Sequence, residues 1–147
     1  MRSLWDPSAR RELRDRVARL TPATERQWGT MSAPQMLAHL VEAMRMASGE
    51  IVVPSKNLPL RFTPFKQLIL YVLPFPKGAP TAPELISRAP LDWPTEAATL
   101  ATMIERFGER DRSARWAEHP AFGKLTGKQW GVLVYKHIDH HFRQFGV

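Results

Sequence analysis

The chain contains no cysteine among its 147 residues. This absence excludes a disulfide-linked scaffold, a cysteine-ligated zinc or iron–sulfur site, and a cysteine nucleophile. Any metal site in this protein must therefore be built from histidine and carboxylate side chains.

Long apolar segments are also missing. The longest apolar run, residues 68–73, is far shorter than the roughly 20 residues needed to cross a bilayer, and the N-terminal residues carry no apolar signal segment. The sequence therefore predicts a soluble cytoplasmic protein with no membrane partner.

Alternating polar and apolar residues, the pattern of a half-buried strand, do not extend far enough to predict a sheet. Four segments instead show helical periodicity, with capping residues at their starts and proline or glycine at some of their ends. The predicted starts are Asp6, Ser32, the neighbourhood of Thr95, and Thr126, and the first two segments end at Pro22 and Gly49.

Proline is abundant but unevenly distributed. Nine of the 13 prolines lie between Pro54 and Pro94, which predicts a mostly irregular segment with one short helix from Phe65 to Leu73. Residues 1–147 are therefore predicted to form a single all-α domain. Its expected form is an antiparallel four-helix bundle with a long proline-rich crossover between the second and third bundle helices.

The histidines are placed where two of these helices could meet. His137 and His141 lie four residues apart on the last helix, and both continue the apolar stripe of Trp130. His39 lies on the apolar face of the second helix. Packing of these helices would bring three imidazoles together, which is the donor set of an open divalent-metal site. Two alternatives remain: His140 could replace His141, and the inward histidines could be hydrogen-bonded core residues.

Two stretches of the sequence resemble a known family. They are residues 26–40, RQWGTMSAPQMLAHL, and residues 119–146, which begin HPAFGKL and end HIDHHFRQFG. Together they resemble the DinB-like superfamily, and within it a bacterial branch of unassigned function that ends in an HxDHHxRQFG signature.

The resemblance implies both a fold and a site. DinB-like proteins are four-helix bundles with a divalent metal, usually nickel or zinc, held by three histidines that correspond to His39, His137 and His141 of this chain. Characterised members include thiol transferases and a thiol-dependent isomerase. The resemblance therefore implies a metal-dependent enzyme, such as an S-transferase, that activates a low-molecular-weight thiol for a small-molecule substrate. The alternative is a metal-binding or interaction module without catalysis.

Several neighbouring residues are candidates for supporting roles. Glu42, Asp139 and Gln144 could orient the imidazoles by accepting their outer N–H groups. For Glu42 a solvated surface position is the favoured interpretation. Phe62, Phe65 and Tyr71 of the crossover could form the rim of a substrate pocket or merely cover the core.

The loop before the last helix also has two interpretations. His119 could lie at the lip of the pocket. A plain loop, anchored by Phe122 and turned by a positive φ angle at Gly123, explains the same residues and is favoured.

The formal net charge of +7 raises the alternative of nucleic-acid binding. Five arginines lie within residues 10–19, but Glu12 and Asp15 interrupt them, and the side chains surround the helix instead of lining one stripe. A solvated arginine-rich surface accounts for this pattern, so nucleic acid is not the expected partner. The apolar segment Leu68–Leu73 is a candidate contact for a homodimer.

Overall fold

The computed structural model describes residues 1–78 and 80–147. In these residues the regular structure is helical, and the only β-type pairing is an isolated bridge between His119 and Gly123. This confirms the all-α prediction. The α-helices are α1 (Pro7–Arg19), α2 (Ala33–Ser48), α3 (Phe65–Tyr71), α4 (Trp93–Phe107) and α5 (Gly127–Gln144), and two 3₁₀ turns lie at Pro59–Arg61 and Pro83–Leu85.

The caps of α1, α2 and α5 lie where the sequence predicts them. The Asp6 carboxylate accepts a hydrogen bond from the first turn of α1. Ser32 and Thr126 each form a reciprocal capping box with the glutamine three residues later. Gly49 ends α2 with a φ angle of +83°, a conformation that favours glycine.

The third long helix starts in the predicted neighbourhood of Thr95, two residues before it. Helix α4 begins at Trp93, and the Asp92 carboxylate accepts the Thr95 N–H. Pro94 therefore lies within the first turn. Backbone N–H groups there have no intrahelical acceptor, so the lack of an N–H in proline costs no hydrogen bond.

The segment between α2 and α4 is mostly irregular, as predicted. Its short helix α3 ends at Tyr71 and not at Leu73. The Lys136 ammonium donates to the carbonyl oxygens of Ile69 and Leu73, so α5 holds the C-terminal end of α3.

Four long helices enclose the core. Helix α4 packs on α1 and α2, and α5 packs on the same two helices. Their buried side chains include Leu13, Leu37, Leu100 and Phe142, all with 0% exposure. Because α2 and α5 are neighbours, inward residues of these two helices face one another. In the described residues, no helix is both long and apolar enough to span a bilayer.

Candidate metal centre

Three histidines converge between α2 and α5. The Nε2 atom of His137 lies 3.1 Å from that of His39 and 3.2 Å from that of His141. One ligand atom from each residue lies within 4.8 Å of the others. His140 is adjacent to His141 in sequence but is not a member of this group.

The outer ring nitrogens of two of these histidines face carbonyl oxygens. His39 Nδ1 lies 3.2 Å from the backbone oxygen of Leu85, and His141 Nδ1 lies 2.9 Å from Oε1 of Gln144. A carbonyl oxygen only accepts, so both imidazoles carry their proton on Nδ1. Their Nε2 lone pairs therefore face the centre of the group.

Proton counting shows that the neutral group is electron-rich at its centre. His137 has at most one proton on Nε2, and this proton can serve only one of its two short contacts with His39 and His141. The other contact then brings two nitrogen lone pairs to about van der Waals distance without a proton between them. A cation at the centre would satisfy all three nitrogens.

Protonation does not relieve this arrangement near neutral pH. Burial lowers the pKa of His39, and it lowers the pKa of His141 to about 3. Burial, followed by the proximity of His141 and His39, holds the pKa of His137 well below its ordinary value. All three imidazoles are therefore neutral, which is the form that ligates metals.

The spacing of the nitrogens suits a metal ion. Zinc–imidazole bonds of about 2.0–2.1 Å at tetrahedral angles separate two ligand nitrogens by about 3.3–3.4 Å. The two contacts of His137, at 3.1 and 3.2 Å, are close to this separation. The three-histidine group could therefore bind a divalent ion and leave a further position for an exogenous ligand.

Of the predicted outer partners, only Gln144 contacts an imidazole. Glu42 is neither an imidazole partner nor a solvated residue, because it is 6% exposed and pairs with Arg88 at 2.8 Å. Asp139 pairs with Arg16 at 2.7 Å and with Arg143 at 2.9 Å. The carboxylates of Glu42 and Asp139 thus pair with arginines. The outer nitrogens of His39 and His141 bond to carbonyl oxygens instead.

The partner of His39 is a backbone group that side-chain patterns could not reveal. Leu85 belongs to the 3₁₀ turn Pro83–Leu85, and Arg88 follows three residues later. Arg88 donates to Glu42 of α2 at 2.8 Å and to Glu96 of α4 at 3.0 Å. This clamp attaches the end of the crossover to both helices and so holds the Leu85 carbonyl over His39.

The loop before α2 supports the other side of the group. Gln144 Nε2 donates to the backbone oxygen of Trp28 at 2.7 Å. The next residue, Gly29, has a φ angle of +83°, and a Cβ there would lie 2.2 Å from Gln144 Nε2. Glycine at this position therefore allows the contact that fixes Gln144 against His141.

The aromatic surroundings differ from the predicted rim. Phe75 packs near His137 and His140, with ring centroids 6.3 and 6.0 Å away, and Trp28 packs on the edge of His140 at 6.2 Å. Phe62 and Phe65 are instead 63% and 53% exposed. In the part of the chain that the structure describes, ring contacts to the histidine group do not involve Phe62, Phe65 or Tyr71.

A family model described as "Protein of unknown function (DUF1569)" matches residues 6–146. The chain belongs to the DUF1569 family. A search of curated proteins and a search of solved structures gave no significant match. Membership of the DUF1569 family assigns no activity, so the function must be argued from the site itself.

The remaining histidine of this DUF1569 protein has a structural role, as the favoured interpretation predicts. His119 Nδ1 accepts the backbone N–H groups of Ala121 and Phe122 at 3.1 and 3.2 Å. Its ring packs on Trp130, and burial lowers its pKa to about 4. Gly123 closes this loop with a φ angle of +66°.

Some of the arginines of α1 form ion pairs with residues of other helices. Arg16 is 6% exposed and binds Asp139, while Arg10 and Arg14 pair with Glu105 of α4. These contacts help to attach α1 to its two neighbouring helices.

Proposed function

We propose that this chain is a divalent-metal-dependent enzyme of the DinB-like type, with His39, His137 and His141 as the metal ligands. The observation that carries the proposal is the convergence of three neutral imidazoles, two buried and that of His137 half-buried, around an unsatisfied centre. The mutual packing of α1, α2, α4 and α5 supports an antiparallel four-helix bundle formed by residues 1–147 as one domain.

The chemistry follows from the donor set. A divalent ion held by three neutral imidazoles retains positive charge and an open position, so it lowers the pKa of a thiol or water bound there. The carbonyl of Leu85 and the side chain of Gln144 orient His39 and His141. Phe75 and Trp28 would line the side of the site that lies next to His140.

The thiol for such a reaction must come from outside the chain, because the sequence has no cysteine. We therefore propose a thiol transferase that uses a low-molecular-weight thiol and a small electrophilic substrate. Nickel and zinc are the metals that the DinB-like resemblance favours, and both accept imidazole ligands.

A cobalt(II) titration of the full chain tests the site. Cobalt in a low-symmetry histidine site gives visible absorption, and we expect saturation at one equivalent in the wild type. His137→Ala should abolish this absorption. His140→Ala should retain it, because His140 lies three residues after His137 and is not a member of the group. Equal spectra for the two variants, both folded by circular dichroism, would exclude the three-histidine site.

A second experiment separates an enzyme from a non-catalytic metal-binding module. Metal-loaded protein is mixed with a panel of electrophiles and with mycothiol, bacillithiol or glutathione. We expect thiol consumption that requires the metal and is lost in His137→Ala. Metal binding without turnover for any of the three thiols would favour a hydrolase or the non-catalytic module.

A further inference from the structure

The crossover exposes an unusually apolar surface. Phe62, Phe65, Leu68, Val72 and Leu73, which we call the crossover face, are 63%, 53%, 41%, 69% and 41% exposed. Phe65 and Leu68 lie three residues apart on α3, and Val72, the residue that follows the helix, continues this spacing along the same side. Exposed apolar side chains scattered singly are ordinary, but a contiguous group marks an interaction site.

The opposite side of α3 is firmly attached to the rest of the molecule. Leu70 is fully buried, and the Lys136 ammonium of α5 binds carbonyl oxygens at the end of α3. Helix α3 is thus apolar on its buried side and on its exposed side. The crossover face cannot turn inward without displacing Leu70 from the core.

Charge indicates the nature of the partner. No aspartate or glutamate occurs between Glu50 and Glu84, whereas this segment contains four cationic residues. These residues are Lys56, Arg61, Lys66 and Lys77. Arg61 approaches Glu118 at 3.6 Å, and Lys66 donates to the backbone oxygen of Lys124, a contact that leaves its charge uncompensated.

This charge pattern opposes self-association through the crossover face. A twofold dimer brings the same patch of both copies together, so cationic side chains would meet cationic side chains. A surface with anionic groups and an apolar interior is complementary to both features. The +7 net charge of the whole chain adds long-range attraction to such a surface.

We propose that the crossover face docks this protein peripherally onto an anionic lipid bilayer. Phe62, Phe65 and Val72 enter the boundary between headgroups and acyl chains, and Lys66, which lies on the same helix as Phe65, meets the anionic headgroups. The prediction of no membrane partner rested on the absence of a spanning segment, which interfacial docking does not require. The proposal is independent of the metal site.

Vesicle co-sedimentation of the full chain tests this proposal. We expect binding to phosphatidylcholine vesicles that contain phosphatidylglycerol, and weaker binding as sodium chloride is raised. The double variant Phe65→Gln/Val72→Gln should bind about tenfold more weakly because two apolar anchors are lost. The matched control is Leu91→Gln, since Leu91 is 55% exposed but lies outside the crossover face, and it should bind like the wild type.

Three results would overturn the proposal. The first is no binding of the wild type to anionic vesicles. The second is equal binding of the double variant and the Leu91→Gln control, which would leave only non-specific charge attraction. The third is use of the crossover face for another partner by a protein that does not bind vesicles. That partner would be a second copy of the chain, detected as a dimer by light scattering, or an oligonucleotide. In either case the double variant would dissociate the complex.

Discussion

At the scale of single residues, Gln144 connects the histidine group to the loop before α2. Its side-chain oxygen faces His141 Nδ1, and its nitrogen donates to the backbone of Trp28. Gln144 is only 4% exposed, so water cannot easily replace either its contact with His141 or its contact with Trp28. Partners of this kind set the tautomer and orientation of a ligating imidazole.

Substitution of Gln144 should therefore weaken metal binding. Gln144→Leu removes the acceptor for His141 and should lower metal affinity roughly 10–100-fold, as is typical for outer partners of ligating histidines. Gln144→Glu retains an acceptor oxygen and should recover much of the affinity. Competition with a chelating dye measures both variants. Equal affinities of Gln144→Leu and wild type would show that this contact does not orient a ligand.

His119 should make the fold sensitive to acid. Its pKa falls from the ordinary 6.5 to about 4 on burial, so the unfolded chain binds more protons within this interval. The free energy of unfolding therefore decreases as the pH falls from about 6.5 to about 4, by roughly 3 kcal/mol from this residue.

The variant His119→Asn tests this contribution. Asparagine Oδ1 can replace Nδ1 as the acceptor for Ala121 and Phe122 but does not titrate. Urea unfolding of metal-free protein between pH 7 and pH 4 should show a shallower loss of stability in the variant. An unchanged pH slope would contradict a His119 that stays neutral in the folded chain.

At the scale of elements, the end of the crossover is held by one arginine between two helices. Glu96 is 1% exposed and also accepts the Leu91 N–H at 2.9 Å. Burial raises its pKa, but hydrogen bonds from Arg88 and Leu91 outweigh burial and hold the pKa below its ordinary value. Glu96 is therefore ionised, and its buried charge is stabilised by Arg88.

Removal of Arg88 should loosen both the fold and the site. Arg88→Met leaves the buried Glu96 carboxylate without its cation, whereas Glu42 still pairs with Arg45 at 3.2 Å. The variant should lower the free energy of unfolding by about 3 kcal/mol. Metal affinity should also fall, because the Leu85 carbonyl loses its attachment near His39. The control is Arg106→Met, whose side chain is 75% exposed and only distantly paired. Chemical unfolding measures the stability of both variants, and titration measures their metal affinity. Equal values for Arg88→Met and Arg106→Met would contradict this role of Arg88.

The sequence predicts the long helices better than the connections between them. Caps such as Ser32 and Thr126 act within a few residues, and their signals are therefore readable in sequence. Leu85 contacts His39 through a backbone oxygen, which has no side-chain signature. Glu42 was misinterpreted because its partner, Arg88, is 46 residues away, and no local pattern indicates that pairing.

At the scale of the whole molecule, the candidate metal centre joins two helices that are far apart in sequence. His39 lies on α2, whereas His137 and His141 lie on α5, so a bound ion would cross-link both sides of the core. An unfolded chain does not hold the three imidazoles together. Metal binding should therefore favour the folded state.

Thermal unfolding should report this link. Metal at about 100 times its dissociation constant stabilises the fold by about 2.7 kcal/mol, which raises the Tm by roughly 5–10 °C for a chain of this size. A chelator should reverse the shift, and His137→Ala should show none. A rise in Tm of equal size in His137→Ala would place the stabilising ion elsewhere.

The metal content of the purified protein tests the central claim most directly. The full chain is purified without chelator, and its metals are quantified by mass spectrometry beside His137→Ala and His140→Ala prepared in the same way. The account predicts one divalent ion per chain in the wild type and in His140→Ala, and almost none in His137→Ala. A wild-type protein without stoichiometric metal, even after incubation with nickel and zinc, would contradict it.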